Sequence, residues 1–254
     1  MFRVRSSRLR ITAAVAVAGV SCLAATACGG TSAASHSVAP SASSAPDPLA
    51  GLSASKVIAE ADADAQSAPS VTLDGTGIEQ GQRALIDIGI KRGEGCTGSV
   101  DLGSKGGFRL IVIGKTVYLN PNKQFWQANA GANASAASAV IAIVNGRYLK
   151  FPASDKFVAG LADLCDWSKL IDDGSDTFTK GKVTTLDGRR VLPIKVSDGS
   201  TDYVTDTSKP EYVEGFSPTG TKGGSGKAII TVGAPVTLTA PPASQVIDGT
   251  VLGM

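Results

Sequence analysis

The sequence predicts an α+β fold: one large, curled, mostly antiparallel sheet accompanied by a few helices. Three observations lead there. Apolar runs with strand-like alternation recur along both halves of the chain. The connections between them are short and rich in Gly, Asn and Asp, which joins antiparallel neighbours rather than parallel ones. Helical periodicity is confined to a stretch before the first run and to the middle of the chain. Strands and helices in separate runs argue for α+β, and about ten strands in one open sheet tend to curl.

The elements follow in order. "LSASKVIAEADADAQSA" from Leu52 places Val57, Ile58, Ala61 and Ala65 at helical spacing. Ser53 or Ser55 can cap its start, and Pro69 stops it. Glu60, Asp62 and Asp64 are assigned to its solvated face, the wrong sign for lying on an anionic bilayer. "SVTLDGTGI" alternates weakly. "RALIDIGIK" alternates well, with Ala84, Ile86, Ile88 and Ile90 on one face. "CTGSVDLG" puts Cys96, Val100 and Leu102 on one face. "GFRLIVIG" is apolar on both faces, so cover on both is expected. "TVYLN" and "FWQAN" are read as the next strands. "ASAASAVIAIV", 134–144, is a helix, and "SDKFVAGLADLCDWSKLIDD" is read as a second one on Phe157, Leu161, Leu164 and Cys165. Asp187-Gly188 and Asp198-Gly199 each sit between apolar runs as hairpin turns. "AIITVG" and "APVTLTAPP" are read as closing strands.

The 254 residues are 43% hydrophobic and 18% charged, enough to bury a sizeable core. The formal charge of +2 is misleading. Residues 1–27 hold Arg3, Arg5, Arg8 and Arg10 and no acid. Taking those four from the 24 basic residues leaves 20 against 22 acidic ones, a net of −2. That balance carries no electrostatic footprint for nucleic acid, and it argues against a polybasic patch for an anionic membrane.

Residues 1–27 read as an export signal: basic "MFRVRSSRLR", apolar "ITAAVAVAGVSCLAA", then small residues. An uncleaved anchor is the alternative, although 17 mostly small residues sit at the short limit for spanning. "ATAC" resembles the lipobox of bacterial lipoproteins, with Ala25 standing where Leu is favoured. That resemblance implies that Cys28 becomes the first residue and carries a diacylglyceryl group. Each buried methylene contributes about 0.8 kcal/mol, and two acyl chains anchor stably where one does not. Residues 28–51 are then a lipidated cysteine and a Ser/Ala/Pro tether with an rms reach of about 25 Å. Residues 52–254 are expected to form a single domain. The protein is expected outside the cytoplasmic membrane, held on its outer face.

Cys22 leaves with the signal. Cys96 and Cys165 remain, and in an oxidising compartment they are expected to pair; two buried free thiols are the alternative.

Chemistry is sparse. His36, the sole histidine, lies in the tether, so a Ser-His or Cys-His nucleophile and a common zinc site are excluded from the domain. "GGSGKA", 223–228, fails the phosphate-loop pattern and reads as a hairpin turn. "LIDDGSD" and "ADADA" do not fit calcium-loop spacing. Asn133 heads a glycosylation triplet that a bacterial-type lipoprotein does not use. Trp126 and Trp167 are assigned to core packing. No enzyme, metal or cofactor is expected.

Two stretches carry a further resemblance. "GCTGSVDLGSKGGFRLIVIGKTVYLNPNKQFW" and "GKVTTLDGRRVLPIKVSDGSTDYVTDTSKPEYVEGFSP", with "APVTLTAPPASQVID", resemble the LppX/LprAFG-type lipoproteins of high-GC Gram-positive bacteria over about residues 52–248. Tyr148 in "GRYLKFP" departs from the Trp of that pattern. The resemblance implies a half-open barrel, related to LolA and LolB, with helices packed across its concave face over an apolar cavity. It implies an acylated lipid or glycolipid ligand, and an envelope transport partner. Strand alternation selects Ile86, Ile88, Ile90, Val100, Leu110, Val112, Leu119, Leu192 and Ile194 as cavity-wall candidates. The rival reading is a non-catalytic surface scaffold for a protein partner, with its interior filled and no lipid bound.

Overall fold

In the computed structural model the described residues are 47–252, apart from 80–81, 130–133, 171–175 and 218–224. The signal segment, Cys28, His36, Asn133, most of "LIDDGSD" and the first two glycines of "GGSGKA" lie outside them.

Thirteen strands form one sheet. Helix α1 (Ala54–Ser67) comes first, followed by β1 (Ser70–Glu79), β2 (Gln82–Lys91), β3 (Gly95–Asp101), β4 (Gly107–Ile113) and β5 (Thr116–Pro121). Helices α2 (Lys123–Asn129) and α3 (Ala134–Val144) precede β6 (Tyr148–Pro152). Two short helices, α4 (Ala159–Ala162) and α5 (Trp167–Leu170), lead to β7 (Phe178–Lys180), β8 (Thr184–Leu186), β9 (Arg189–Val196) and β10 (Thr201–Thr205). The chain ends through β11 (Tyr212–Ser217), β12 (Ser225–Val232) and β13 (Val246–Asp248). The order across the sheet is β13-β6-β5-β4-β3-β2-β1-β12-β11-β10-β9-β7, with β8 paired to β9. The β13–β6 pair is parallel; the other pairs are antiparallel. The sheet is curled and does not close, since β13 and β7 remain its two edges.

Register decides which side chains face the helices. Val71, Leu73 and Gly75 of β1 stand opposite Ile90, Ile88 and Ile86 of β2, and those in turn stand opposite Cys96, Gly98 and Val100 of β3. The rows continue through Val112, Leu110 and Phe108 of β4 into Val117, Leu119 and Pro121 of β5. This is the inner face. It is covered by α1, whose Val57, Ile58, Ala61 and Ala65 are buried in the same core. Ser53 caps α1, accepting from the Lys56 amide at 3.2 Å, as a serine before an apolar helix should. An aromatic run fills one side: Phe108, Phe125, Trp126, Phe157 and Phe151 follow one another at centroid spacings of 5.6–6.3 Å.

Several expectations are corrected. "FWQAN" is the helix α2, not a strand. Asn122 accepts from the Phe125 amide at 2.8 Å and so supplies the missing first-turn partner. That puts Trp126 on the core side of a helix. "SDKFVAGLADLCDWSKLIDD" is broken into short turns rather than one helix. Asp155 and Asp166 each accept from the amide two residues on, at 2.9 and 3.1 Å, and such local bonds compete with helix continuation. "APVTLTAPP" makes no ladder. Pro235, Pro241 and Pro242 lack an N–H to donate, and the strand near the C-terminus is Val246–Asp248 instead. Ser225–Ala228 of "GGSGKA" lies in β12 rather than in a turn. On the outer face of β4, Ile111 and Ile113 are only half-buried, so full cover exists on its inner face alone. Asp62, assigned to solvent, is buried. Asp187-Gly188 does form the β8–β9 hairpin, with φ of 49° and 77° at the two residues, as a type I′ turn demands.

Two fastenings hold the covering segments to the sheet. Cys96 of β3 and Cys165 are disulfide-bonded, with Cα atoms 5.0 Å apart across a separation of 69 residues. The bond pins the turns before α5 to the inner face. Just before α1 Leu49 is buried, and Lys180 of β7 donates to the carbonyls of Leu49 and, at 2.9 Å, Leu52. Beside this turn the Asp206 side chain is fully buried, with Arg190 Nε 2.6 Å from its Oδ2 and Asp47 alongside.

Two measurements check these fastenings. Replacing both Cys96 and Cys165 with Ala is expected to lower the unfolding free energy by up to about 4 kcal/mol, read from urea midpoints, because the unfolded loop is no longer closed. Burial, the largest cause, together with Asp47 holds the Asp206 carboxyl above the ordinary carboxylate range, against the opposing pull of Arg190. The folded state therefore binds more protons than the unfolded one in that window. Asp206 stabilises below the ordinary carboxylate value, and that contribution is lost as pH rises through its folded value. Asp206→Asn is expected to gain stability relative to the wild type on going from pH 4 to pH 7. A difference that is flat with pH, or of opposite slope, contradicts this.

Candidate functional site

The inner face divides into two parts. In the half nearest the β2–β3 turn, large side chains are tightly buried. Ile88, Leu110, Val112, Val117, Leu119 and Leu149 are at most 4% exposed under the helices. The other half is different. One row runs across it from Ile194 through Asp202, Gly215, Ala228, Gly75, Ile86 and Val100 to Phe108. The next row holds Gly226, Gly77 and Ala84. This is a trough floored by glycine and alanine.

Ile86, Val100, Ala228 and Ile230 are only half-buried, although all four face inward. The floor is low because its residues are small. A Cβ on Gly75 would stand 2.4 Å from Cγ2 of Ile86, so Ile86 leans across the space that Gly75 leaves. A bulge lets β11 serve this face. Tyr203 and Val204 of β10 oppose Glu214 and Tyr212, so Val213 is the extra residue. Tyr212 thereby turns inward, while Glu214 turns outward, where Lys227 Nζ lies 3.2 Å from it.

Tyr212 is the polar clamp on the cover. Its hydroxyl donates to Asp62 Oδ1 of α1 at 2.7 Å, and both residues are buried. No sequence pattern marked this pair, because Asp62 sits among acids with an ordinary exposed spacing. Two clefts flank α1. One, of about 420 Å³, is lined by Ser55, Ile58, Ala59, Asp62, Gln66 and Phe178. The other, of about 490 Å³, opens between the C-terminal end of α1, the β2–β3 turn and Trp167. Both volumes fall in the range of small-ligand sites. The indole N–H of Trp167 is buried with no hydrogen-bond partner among the described residues.

The nine wall candidates all face inward. Ile88, Leu110, Leu119, Leu192 and Ile194 are packed in the core. Ile90 and Val112 are buried and border the larger cleft. Ile86 and Val100 line the trough. Strand alternation could not find its glycines and Ala228, because only the register shows which small residues share a row. Among the described residues no group of three or more His, Cys, Asp or Glu converges to hold a metal. None of their helices is long and apolar enough to cross a membrane.

No protein-family model matches the chain, and no curated protein matches it in sequence. Solved structures do resemble it. The crystal structure of LprF from Mycobacterium bovis aligns at 14% identity over 74% of this chain and 96% of its own, with a TM-score of 0.46. The Mycobacterium tuberculosis lipoprotein LppX aligns at 10% identity over 73% and 97%, with a TM-score of 0.42. An uncharacterised conserved protein of Thermus thermophilus aligns at 10% identity over 76% and 96%, with a TM-score of 0.38.

The clamp can be measured. Tyr212→Phe leaves the buried Asp62 without its hydroxyl donor and is expected to cost about 1–3 kcal/mol in urea unfolding. Tyr212→Phe combined with Asp62→Leu should recover part of that loss, because both ends of the buried polar pair are then replaced by apolar groups.

Proposed function

We propose that this protein is a surface-anchored lipoprotein that binds an acylated lipid or glycolipid, with the acyl chains lying in the trough beneath its helices. The observation that carries the reading is the inward row Gly215–Ala228–Gly75–Ile86–Val100: floored by small residues, with Ala228, Ile86 and Val100 half-exposed while Ile88, Leu110 and Leu119 on the same face are sealed. Apolar surface left open inside a curled sheet gains free energy by burying hydrocarbon, about 25 cal/mol per Å². Ala and Gly leave the depth that an acyl chain needs. The sequence resemblance to LppX/LprAFG-type lipoproteins and the lipobox at Cys28 support the same reading. The anchor keeps such a carrier at the outer face of the membrane that supplies its ligand. An envelope transport partner would then take the lipid onward. The chain needs no catalytic group for this task.

The packed half of the inner face favours a second reading, a lipid-free scaffold for a protein partner. One experiment separates the two. The protein, purified from native membranes without denaturant, is examined by native mass spectrometry. A diacyl lipid is expected to remain bound beyond the one attached through Cys28. Ala228→Trp fills the trough at a half-exposed position and is expected to lose that lipid while keeping its thermal midpoint. Lipid-free wild-type protein, or unchanged lipid in Ala228→Trp, goes against the carrier.

A further inference from the structure

The net charge of the chain conceals a segregation. From Leu102 to Ser154 the sequence holds Lys105, Arg109, Lys115, Lys123, Arg147 and Lys150 and no acidic residue. All six are exposed. Acids flank the stretch at Asp101 and Asp155, and Asp248 of β13 stands beside Lys150.

Three of these cations gather at one end of the sheet. Lys105 lies in the turn Gly103–Lys105, Lys123 opens α2, and Arg147 follows α3. Hydrogen bonds tie these parts together. Asn122, just before α2, accepts from the Gly107 amide at 3.1 Å. Asn120 donates to the carbonyl of Gly146, just after α3. Arg147 donates from Nη2 to the Ile143 carbonyl at 2.8 Å and so fixes itself at the C-terminal end of α3. Asp101 is engaged within this end, accepting from the Gly103 amide at 2.8 Å.

Helix α3 is the other half of the feature. "ASAASAVIAIV" contains no charged residue. A surface helix ordinarily turns polar residues outward. This one exposes Ser135, Ser138, Ala139, Ala142 and Ile143, the last at 49%, while Val140 and Ile141 are half-buried against the core. Only Ala137 and Val144 of its described side chains are buried.

We infer that α3 and the cations around it form a docking face for the surface of an anionic lipid bilayer. The helix enters the headgroup boundary through Ile143 and its neighbours, and Lys105, Lys123 and Arg147 contact lipid phosphates. An interfacial helix needs an apolar face together with a cationic rim, and each Lys or Arg near an anionic surface contributes further attraction. The composition suits lipid better than a protein partner. Protein hot spots are built on Trp, Tyr and Arg in pockets, whereas the exposed face of α3 is small Ser and Ala around a single Ile143. The face also lies at the same end of the sheet as the Gly/Ala row. Docking would therefore present the trough to the bilayer. The inference does not depend on a bound lipid, and its test is separate from the one for cargo.

The test uses the mature chain, residues 28–254, with Cys28→Ser to remove the anchor. Elements α1 to β13 all lie within these residues. It is mixed with vesicles of phosphatidylcholine alone or with an equal part of phosphatidylglycerol. Lipid is raised to about 10 mM, the order of effective concentration that a short tether provides. The protein is expected to float with the anionic vesicles and not with the neutral ones. Ile143→Asp and Lys123→Glu should each reduce flotation about tenfold with unchanged circular dichroism. Lys195→Glu, the same charge change on exposed β9, should leave it intact. Failure of the wild type to float with anionic vesicles overturns the docking face. So does equal flotation with neutral ones, or a loss in Lys195→Glu matching that in Lys123→Glu. Bound lipid detected in the cargo experiment alongside no flotation would leave the carrier standing and remove the docking face.

Discussion

An unclosed sheet with an apolar inner face has to be covered, and the cover has to be held. Rows of Ile, Leu and Val running across β1–β6 cannot be left to water, and the sheet does not close to bury them itself. Helix α1 and the 158–170 segment do so. Neither segment is long or strongly helical enough to stay in place on its own. The short turns around Asp163–Cys165 are tied by the disulfide to Cys96, in the middle of the covered face. Helix α1 is tied by Tyr212 to Asp62, and the turn before it by Lys180. The bulge at Val213 matters for this reason. Without that extra residue, Tyr212 and Glu214 would share a face, and either the clamp would be lost or a carboxylate would enter the core.

The cover is incomplete by composition rather than by accident of packing. Where the sheet carries Leu and Ile, the helices seal it. Where it carries Gly75, Gly77, Gly215, Gly226 and Ala228, there is little apolar area to bury and no large side chain to pack against. Glycine in a strand weakens it by entropy and lost packing. Repeating that cost along neighbouring strands creates room on the inner face while the outer face keeps its alternation. Ile86 leaning over Gly75 shows the consequence at one point.

Much of this was readable in the residues, and the remainder has physical reasons. The alternation of "RALIDIGIK" named its inner face because period two survives any choice of partner. The Asp187-Gly188 hairpin was legible because few other dipeptides tolerate two positive φ values. "FWQAN" misled because aromatic content favours strands, while the capping Asn122 acts through one hydrogen bond that composition does not display. Asp62 misled because its partner is 150 residues away in sequence. The trough misled most. Each of its glycines reads locally as a turn or a weakened strand, and only the ladder brings them side by side.

Net charge misled in the same way. A total of −2 for the mature chain argues against a cationic surface only if charge is evenly spread. Here the acids lie outside the β4–β6 stretch, while the exposed cations within it stand beside an uncharged helix. Leu49, ahead of α1, is held instead beside β7, which with β13 bounds the sheet. If residues 28–46 form the proposed lipidated tether, a tether at this edge and the inferred docking face on the other strands would restrain different degrees of freedom. A flexible tether confines the domain near the bilayer without fixing its orientation. A weak docking face can fix orientation once the tether has supplied the concentration. On the proposed reading, neither would suffice alone to bring one end of the sheet against a lipid surface and release it again.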